Sequence, residues 1–213
     1  NARDYERETH MVKAFSSLHR LALALFASVA IFVMAVPATA AEENNDNEFA
    51  PHMTLYMTHT VSEWVHNPIL IEAIRAQNLV TAGLSEEEII ALDNEWRATG
   101  RTGTLRSQVL DGAAGDFLRM IVEASDEMIT EVFVTDALGL NVAASVATSD
   151  YWQGDEDKFS KTFGVGVGAI HIGNMEVDRS TGAYQGQASM TITDPDSGLP
   201  IGSVTVGLLP DMF

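Results

Sequence analysis

The stretch from residue 129 to residue 146, ITEVFVTDALGLNVAASV, decides the fold of this 213-residue chain. β-Branched and aromatic residues fill the run 129–135, a second and mainly apolar run follows at 140–146, and residues 136–139 (DALG) between them have the composition of a turn. The pattern predicts a β-hairpin. Before it apolar residues recur at helical spacing, and after it they alternate, so a helical part precedes a sheet part.

Three more strands are predicted after the hairpin, over residues 169–172, 184–193 and 201–208. A short helix is predicted within residues 155–161. Residues 194–198 (DPDSG) form a turn, because Pro presets φ and Gly supplies a positive φ. Helices followed by strands that are joined as hairpins predict an α+β fold, in which N-terminal helices pack on a five-stranded antiparallel sheet.

The helical part runs from residue 51 to about residue 122. Asn67 and Pro68 are typical of an N-cap and a first helical position, so they predict that one helix ends there and another begins. Ser85 and Glu88 have the spacing of a capping box. Trp64 and Trp96 lie on the apolar sides of their helices, and we expect both to be largely buried in the helical layer.

The N-terminal forty residues carry an export pattern. Lys13 and Arg20 precede an apolar run at 21–36, and Ala38-Thr39-Ala40 resembles a signal-peptidase site. We expect cleavage after Ala40. The alternative is a retained membrane anchor, although the run of about 16 residues is shorter than the roughly 20 that a span needs.

Cleavage would leave residues 41–213 as a single domain, with a helical part at 41–128 and a sheet part at 129–213. Residues 1–10 are polar and charged, which does not fit the start of an export signal. They are treated as an upstream extension. The predicted location is periplasmic or otherwise extracytoplasmic.

The charge balance excludes several partners. The chain has 30 acidic and 12 basic side chains; three of the acidic and four of the basic ones precede residue 41, which leaves 27 against 8. Nucleic acid and anionic lipid both require a basic surface. Cysteine is absent, which removes disulfides, thiolate catalysis and Cys-held clusters.

Several segments resemble the Cache, or PDC, family of sensor domains, which are extracytoplasmic relatives of PAS domains. They are WVHNP (64–68), FVTDALGLNV (133–142), TSDYWQGDE (148–156) and PIGSVTVG (200–207). The resemblance implies a long N-terminal helix on one face of a PAS-like five-stranded sheet. It also implies a small-molecule pocket on the other face, roofed by the segment between the second and third strands.

Most members of that family are the outer parts of membrane receptors and continue into a transmembrane helix. This sequence ends at VGLLPDMF (206–213). The expectation is therefore a stand-alone exported form that reports to a separate partner, such as a membrane sensor kinase or another receptor.

The candidate ligand site begins in the segment 148–156. Tyr151 and Trp152 stand beside carboxylates, and an aromatic wall next to carboxylates is suited to a small cationic ligand. The residues assigned to ligand binding here are Asp150, Tyr151, Trp152, Asp155 and Glu156. The alternative is that the two aromatic rings close the core while the acids face solvent.

The strand at 184–193 adds further candidates because its residues alternate in character. Gly186, Ala188, Met190 and Ile192 are expected to meet the helices, and the intervening polar residues line either a pocket or the solvent. Gln187 and Ser189 are assigned to the ligand site. His171 on the neighbouring strand joins them in this hypothesis, with a structural, hydrogen-bonded histidine as the alternative.

Neither a metal centre nor catalysis is predicted. His52, His59 and His66 recur every seven residues, about 10 Å apart on a helix, which is too far for one metal ion. They form a solvated stripe or the contact of a homodimer through the N-terminal helix. The sequence has no G-x-S-x-G, H-E-x-x-H or phosphate-loop motif, so no cofactor and no enzymatic activity are expected.

The function predicted from the sequence is a non-enzymatic extracytoplasmic sensor domain that binds a small organic molecule and reports to a partner protein. Two alternatives remain open. One is divalent-cation sensing through the acids at 155–157 or 194–196, with oxygen ligands. The other is a protein-interaction or assembly module that has no ligand.

Overall fold

The computed structural model describes residues 47–99, 103–177 and 182–210. The predicted signal peptide, its cleavage after Ala40 and the extension at residues 1–10 lie outside these ranges. None of the helices described has both the length and the apolar character that a membrane-spanning helix needs.

A long N-terminal helix opens the described chain. It consists of α1 (Ala50–Tyr56), a π-helical segment (Met57–Val61) and α2 (Ser62–Trp64). Its buried apolar side chains stand at four-residue spacing, at positions 53, 57, 61 and 65. An α-helix of 3.6 residues per turn turns such a row by about 40° per step. The π segment, with its i→i+5 turn, offsets that drift and keeps the four side chains on one stripe.

Four further helices precede the sheet: α3 (Pro68–Thr81), α4 (Glu86–Thr99), α5 (Thr104–Leu110) and α6 (Ala113–Glu123). Their predicted caps are confirmed. Asn67 Oδ1 accepts a bond of 3.0 Å from the Ile69 amide. The Ser85 amide donates to Glu88 Oε2 at 2.8 Å, and the Glu88 amide donates back to Ser85 Oγ at 3.3 Å. The bonds from Ser85 lower the pKa of Glu88.

The sheet contains β1 (Ile129–Thr135), β2 (Asn141–Ala144), β3 (Ile170–Val177), β4 (Tyr184–Thr193) and β5 (Pro200–Leu208). Its order is β2-β1-β5-β4-β3, and all neighbouring pairs are antiparallel. A short helix, α7 (Asp157–Ser160), lies between β2 and β3. These elements confirm the predicted α+β fold with a five-stranded antiparallel sheet.

The first face of the sheet packs against the N-terminal helix, α3 and α6. Alternate strand residues supply its apolar side chains, as the sequence pattern of β4 predicted. The buried residues on this face include Met53, Met57, Val61, Leu70, Ile74, Leu118, Val132, Val134, Ala188, Ile192, Val204 and Val206. Trp64 is only half-buried; it packs on this cluster, edge-on to Phe117 at a centroid distance of 6.4 Å.

A second hydrophobic cluster covers the β1–β2 half of the opposite face, where α4 and α5 supply Ile89, Trp96 and Val109 against Phe133 and Tyr151. Trp96 is fully buried, as predicted, but not in the layer beneath the N-terminal helix. Helices therefore pack on both faces, because β1 sends Val132 and Val134 to one side and Phe133 to the other.

Arg75 fastens α3 to the turn between β4 and β5. Its Nε lies 2.6 Å from Asp194 Oδ2, and its Nη2 contacts Asp194 Oδ1 at 2.8 Å and Asp196 Oδ2 at 2.6 Å. Asp194 Oδ1 also accepts the backbone N–H groups of Asp196 and Ser197. The Arg75 bond first, and these amides after it, hold the pKa of Asp194 well below its usual range.

A depressed pKa makes this contact sensitive to acid. Its stabilisation is present above about pH 4, the ordinary pKa of an unfolded Asp, and is lost as the pH falls below that value. We expect Asp194→Asn to lower the free energy of unfolding at neutral pH and to flatten its decrease in acid, as measured by urea unfolding. Asp196→Asn is the control, because that side chain is 81% exposed. Equal acid sensitivity of Asp194→Asn and the unmodified chain would contradict this account.

Candidate functional site

The part of the second face formed by β3, β4, β5 and the neighbouring residues of β1 is lined by polar side chains instead of apolar ones. They alternate with the residues that face the N-terminal helix, and most are almost completely buried. The buried polar residues on this face, which we call the polar face, are Glu131, Thr135, Gln185, Ser189, Thr191, Ser203 and Thr205. A buried surface of this kind must satisfy its hydrogen bonds internally, through water or through a ligand.

Two hydroxyl pairs cross the strands of the polar face. Thr135 Oγ1 lies 2.7 Å from Ser203 Oγ, and Ser189 Oγ lies 2.9 Å from Thr205 Oγ1. Each pair uses one of its two O–H donors internally. Each pair therefore keeps one O–H donor and spare acceptor capacity for another molecule.

Glu131 lies at one end of the polar face. Its Oε1 accepts bonds from Gln185 Nε2 at 2.8 Å and from Gln187 Nε2 at 3.0 Å. The β1–β5 register shifts between Ile129 and Glu131, and Thr130 also turns to this side, where its hydroxyl donates to Gln185 Oε1. The irregularity in β1 thus places a carboxylate and two amides together.

Thr191 has the hydroxyl group on the polar face that is best suited to form a hydrogen bond with a ligand. It lies on β4 with Gln187 and Ser189 and is buried, and its hydroxyl oxygen has no hydrogen-bond partner among the described residues. A buried hydroxyl without a partner costs roughly 1–3 kcal/mol. A bound molecule that supplies the missing bond would recover that free energy.

The segment between β2 and β3 covers this part of the sheet. Its helix α7 contacts β3 and β4. Lys158 Nζ lies 5.6 Å above the centre of the Phe133 ring and 2.8 Å from Glu156 Oε2. Phe159 and Phe163 stack with a centroid distance of 5.0 Å. The segment over the polar face thus carries the stacked rings of Phe159 and Phe163 and the Lys158 ammonium group.

Tyr151 and Trp152 lie in this same segment but turn toward the second hydrophobic cluster. Tyr151 is buried with its ring centre 5.6 Å from that of Trp96, and burial, then the nearby Asp136 charge, raises the pKa of its hydroxyl. Trp152 Nε1 donates to the Leu138 carbonyl at 2.9 Å. Both rings thus pack against the second hydrophobic cluster, and their contribution to ligand binding stays a prediction.

Two of the acids assigned to the site, Asp150 and Asp155, lie near Arg97, and the hydrogen bond to Asp150 is the largest cause that raises the pKa of Arg97. Asp150 Oδ1 lies 2.7 Å from Arg97 Nε, and Arg97 also pairs with Asp93 on α4. Glu156 pairs with Lys158, and Asp155 is exposed.

The remaining three assigned residues are brought together on the polar face. His171 stands opposite Ser189 in the β3–β4 register, Ser189 pairs with Thr205, and Gln187 bonds Glu131. Sequence alternation identified Gln187 and Ser189. The same alternation in β1 and β5 also marks Thr135, Ser203 and Thr205, which the sequence reading did not assign.

The acids considered for a divalent cation are engaged elsewhere. Asp194 and Asp196 face Arg75, and Asp157 lies 3.0 Å from Lys161 Nζ. Among the described residues, no group of three His, Asp or Glu side chains is arranged as metal ligands.

Solved structures that match this chain include sensor and ligand-binding domains. The extracellular domain assigned to a histidine kinase, rpHK1S-Z16, is 18% identical and has a TM-score of 0.40, over 67% of this chain and 52% of that one. The sensor domain of the V. cholerae histidine kinase DctB is 12% identical, with a TM-score of 0.33, over 74% and 52% of the two chains.

A third match is the ligand-binding domain of the Campylobacter jejuni chemoreceptor Tlp3, solved in complex with 4-methylisoleucine. It is 12% identical, with a TM-score of 0.37, over 76% of this chain and 57% of that one. This chain therefore spans about half the length of the sensor domains it matches, and the agreement in shape is loose. No protein-family model and no curated protein matches the chain.

Proposed function

We propose that this chain is a non-enzymatic, extracytoplasmic sensor domain that binds a small organic molecule on the polar face of its sheet and reports to a partner protein. The sequence motifs shared with Cache domains support the class. The buried polar face beneath the β2–β3 segment supports the place of binding, because it lies where that resemblance puts a pocket.

The observation that carries the proposal is the unpartnered, buried hydroxyl of Thr191. Its neighbours on the polar face retain O–H donors after pairing with each other. Lys158 adds an ammonium group in the covering segment, where it pairs with Glu156, and Glu131 adds a carboxylate at one end of the face. The ligand that suits these groups is small and polar, with hydrogen-bond acceptors such as carbonyl, hydroxyl or carboxylate oxygens.

A thermal-shift screen of the chain tests this function. Amino acids, amines and small carboxylates are added singly at millimolar concentration, with calcium and magnesium as separate arms. A ligand that binds only the folded state raises Tm in a concentration-dependent way. A shift with an organic compound supports the proposal. A shift with a cation alone favours cation sensing, and no shift with any compound favours an assembly module.

Thr191→Val locates the site. Valine keeps the shape of threonine and removes the unpartnered hydroxyl, so we expect the stability of the ligand-free protein to stay constant or rise by up to about 1 kcal/mol. Affinity for the compound found in the screen should fall about five- to tenfold, the loss of roughly 1 kcal/mol of hydrogen bonding. Unfolding curves and titration calorimetry measure the two effects.

Thr135→Val is the matched control, because it removes a hydroxyl that is already paired with Ser203. It should destabilise the ligand-free protein by about 1 kcal/mol or more, since Ser203 loses its partner. If Thr191→Val loses stability in the same way and binds normally, Thr191 is structural and the polar face is not the binding site.

A further inference from the structure

Two methionine sulfur atoms lie against the backbone of Gly186 on the first face of the sheet. A Cβ atom at position 186 would stand 2.7 Å from Met175 Sδ and 3.1 Å from Met53 Sδ. The missing side chain of Gly186 therefore makes the space in which the two thioethers meet. Met175 belongs to β3, one of the two edge strands, and Met53 belongs to the N-terminal helix.

This thioether pair stands where the start of the N-terminal helix is held to the sheet. Asn47 Nδ2 donates to the Gly173 carbonyl of β3 at 2.8 Å and lies 3.5 Å from Met53 Sδ. Asn47 Oδ1 accepts the Phe49 amide at 3.0 Å, so the same side chain organises the turn that leads into the helix. Packing at Met53 and Met175 and bonding at Asn47 thus form one attachment point.

The two methionines differ in access. Met53 and Met57 are fully buried, whereas Met175 is only half-buried. A thioether oxidised by a peroxide becomes a sulfoxide, which is polar and larger. The sulfur loses two electrons and gains one peroxide oxygen, and the other peroxide oxygen leaves as water. A sulfoxide at Met175 would place a strong dipole in an apolar contact that has no spare volume.

We propose that Met175 is an oxidation site whose conversion to the sulfoxide releases the start of the N-terminal helix from the edge strand β3. The chain contains nine methionines and no cysteine, so thioethers are its only sulfur groups that a peroxide can oxidise. The reaction is reversible by methionine sulfoxide reductases, which makes the attachment a switch.

The test treats the full chain with hydrogen peroxide and follows three quantities in the same sample: oxygen uptake at each methionine by peptide mass spectrometry, Tm, and amide exchange of residues 49–57. We expect Met175 to be oxidised before Met53. As it is oxidised, exchange at residues 49–57 should rise at least tenfold, and Tm should fall by more than about 5 °C. A sulfoxide reductase should reverse both changes.

Met175→Leu removes the sulfur and keeps the apolar volume, so its Tm and exchange should resist peroxide. Met120→Leu is the matched control, because Met120 is 58% exposed on α6, and this variant should respond as the unmodified chain does. The proposal is overturned if Met175→Leu loses as much Tm as the unmodified chain. It is also overturned if oxygen uptake at Met175 leaves exchange at residues 49–57 unchanged, a result that needs no variant.

Discussion

Trp96→Ala should lower the free energy of unfolding by about 3–5 kcal/mol, the scale for deleting a fully buried aromatic side chain. Trp96 is the largest fully buried side chain described, and its ring packs on Tyr151 and under the Arg106 guanidinium at 4.4 Å. Its Nε1 also donates to the Thr148 carbonyl at 2.9 Å. The variant thus leaves a cavity and an unpaired carbonyl together. Denaturant unfolding measures the loss.

Trp64→Ala is the comparison for that measurement. Trp64 is half-buried beside the first cluster, so its truncation should cost less than that of Trp96. Because Trp96 holds the segment that begins at Thr148, amide exchange near residues 148–153 should also rise in Trp96→Ala and not in Trp64→Ala. Equal losses of unfolding free energy in the two variants would contradict this expectation. They would mean that a fully buried residue of the second cluster stabilises the fold no more than a half-buried residue at the edge of the first cluster.

Asp136→Ala should destabilise the fold by at least about 3 kcal/mol. Asp136 is fully buried, and its Oδ1 accepts the backbone N–H groups of Leu138 at 2.9 Å and Leu140 at 3.0 Å. Its Oδ2 accepts Gln77 Nε2 at 3.0 Å and Thr81 Oγ1 at 2.9 Å. Alanine would leave the backbone N–H groups of Leu138 and Leu140 without an acceptor at the junction of α3 and the β1–β2 turn, and each buried unsatisfied donor costs roughly 1–3 kcal/mol. Gln77 Nε2 and Thr81 Oγ1 would lose their bonds to the carboxylate but keep backbone carbonyl acceptors.

Gln77→Ala is the matched variant for Asp136, because it removes one donor and leaves the carboxylate with its other three bonds. Its cost should be a fraction of that for Asp136→Ala, and chemical denaturation compares the two directly. A loss below about 1 kcal/mol for Asp136→Ala would show that water replaces the carboxylate and that the junction is more open than its burial indicates.

The strand bounds and helix caps that depend on neighbouring residues could be predicted from the sequence. β1 and β4 have the predicted bounds, because their residues alternate cleanly and their ends are marked by turn residues. The caps at Asn67 and Ser85 depend only on neighbouring residues, so they too were predictable. β3 is longer than predicted: its edge position leaves residues such as Asn174 exposed, and its pairing shifts between Ile172 and Met175.

The contacts between elements that are distant in the sequence could not be predicted in the same way. No local pattern shows that α4 crosses to the second face, or that Arg97 on α4 reaches Asp150 in the segment after β2. Thr130 joins Glu131 on the polar face where the β1–β5 register shifts between Ile129 and Glu131, and no local pattern shows that shift. The sequence predicted the alternating residues of β4 in the candidate site. The same alternation in β1 and β5 could have identified the others, but which strands are neighbours in the sheet could not be read from it.

The π segment of the N-terminal helix makes the length of that helix adjustable. Its buried side chains are spaced four residues apart throughout. The wide π turn offsets the rotation by which four residues exceed one turn of an α-helix. Without one of residues 58–60, the spacings would become four, three and four, which a straight α-helix keeps on one stripe without help. The helix thus holds one residue more than burial of its apolar side chains requires. A variant of this chain that lacks one residue at this point would therefore still bury the same four side chains against the same sheet.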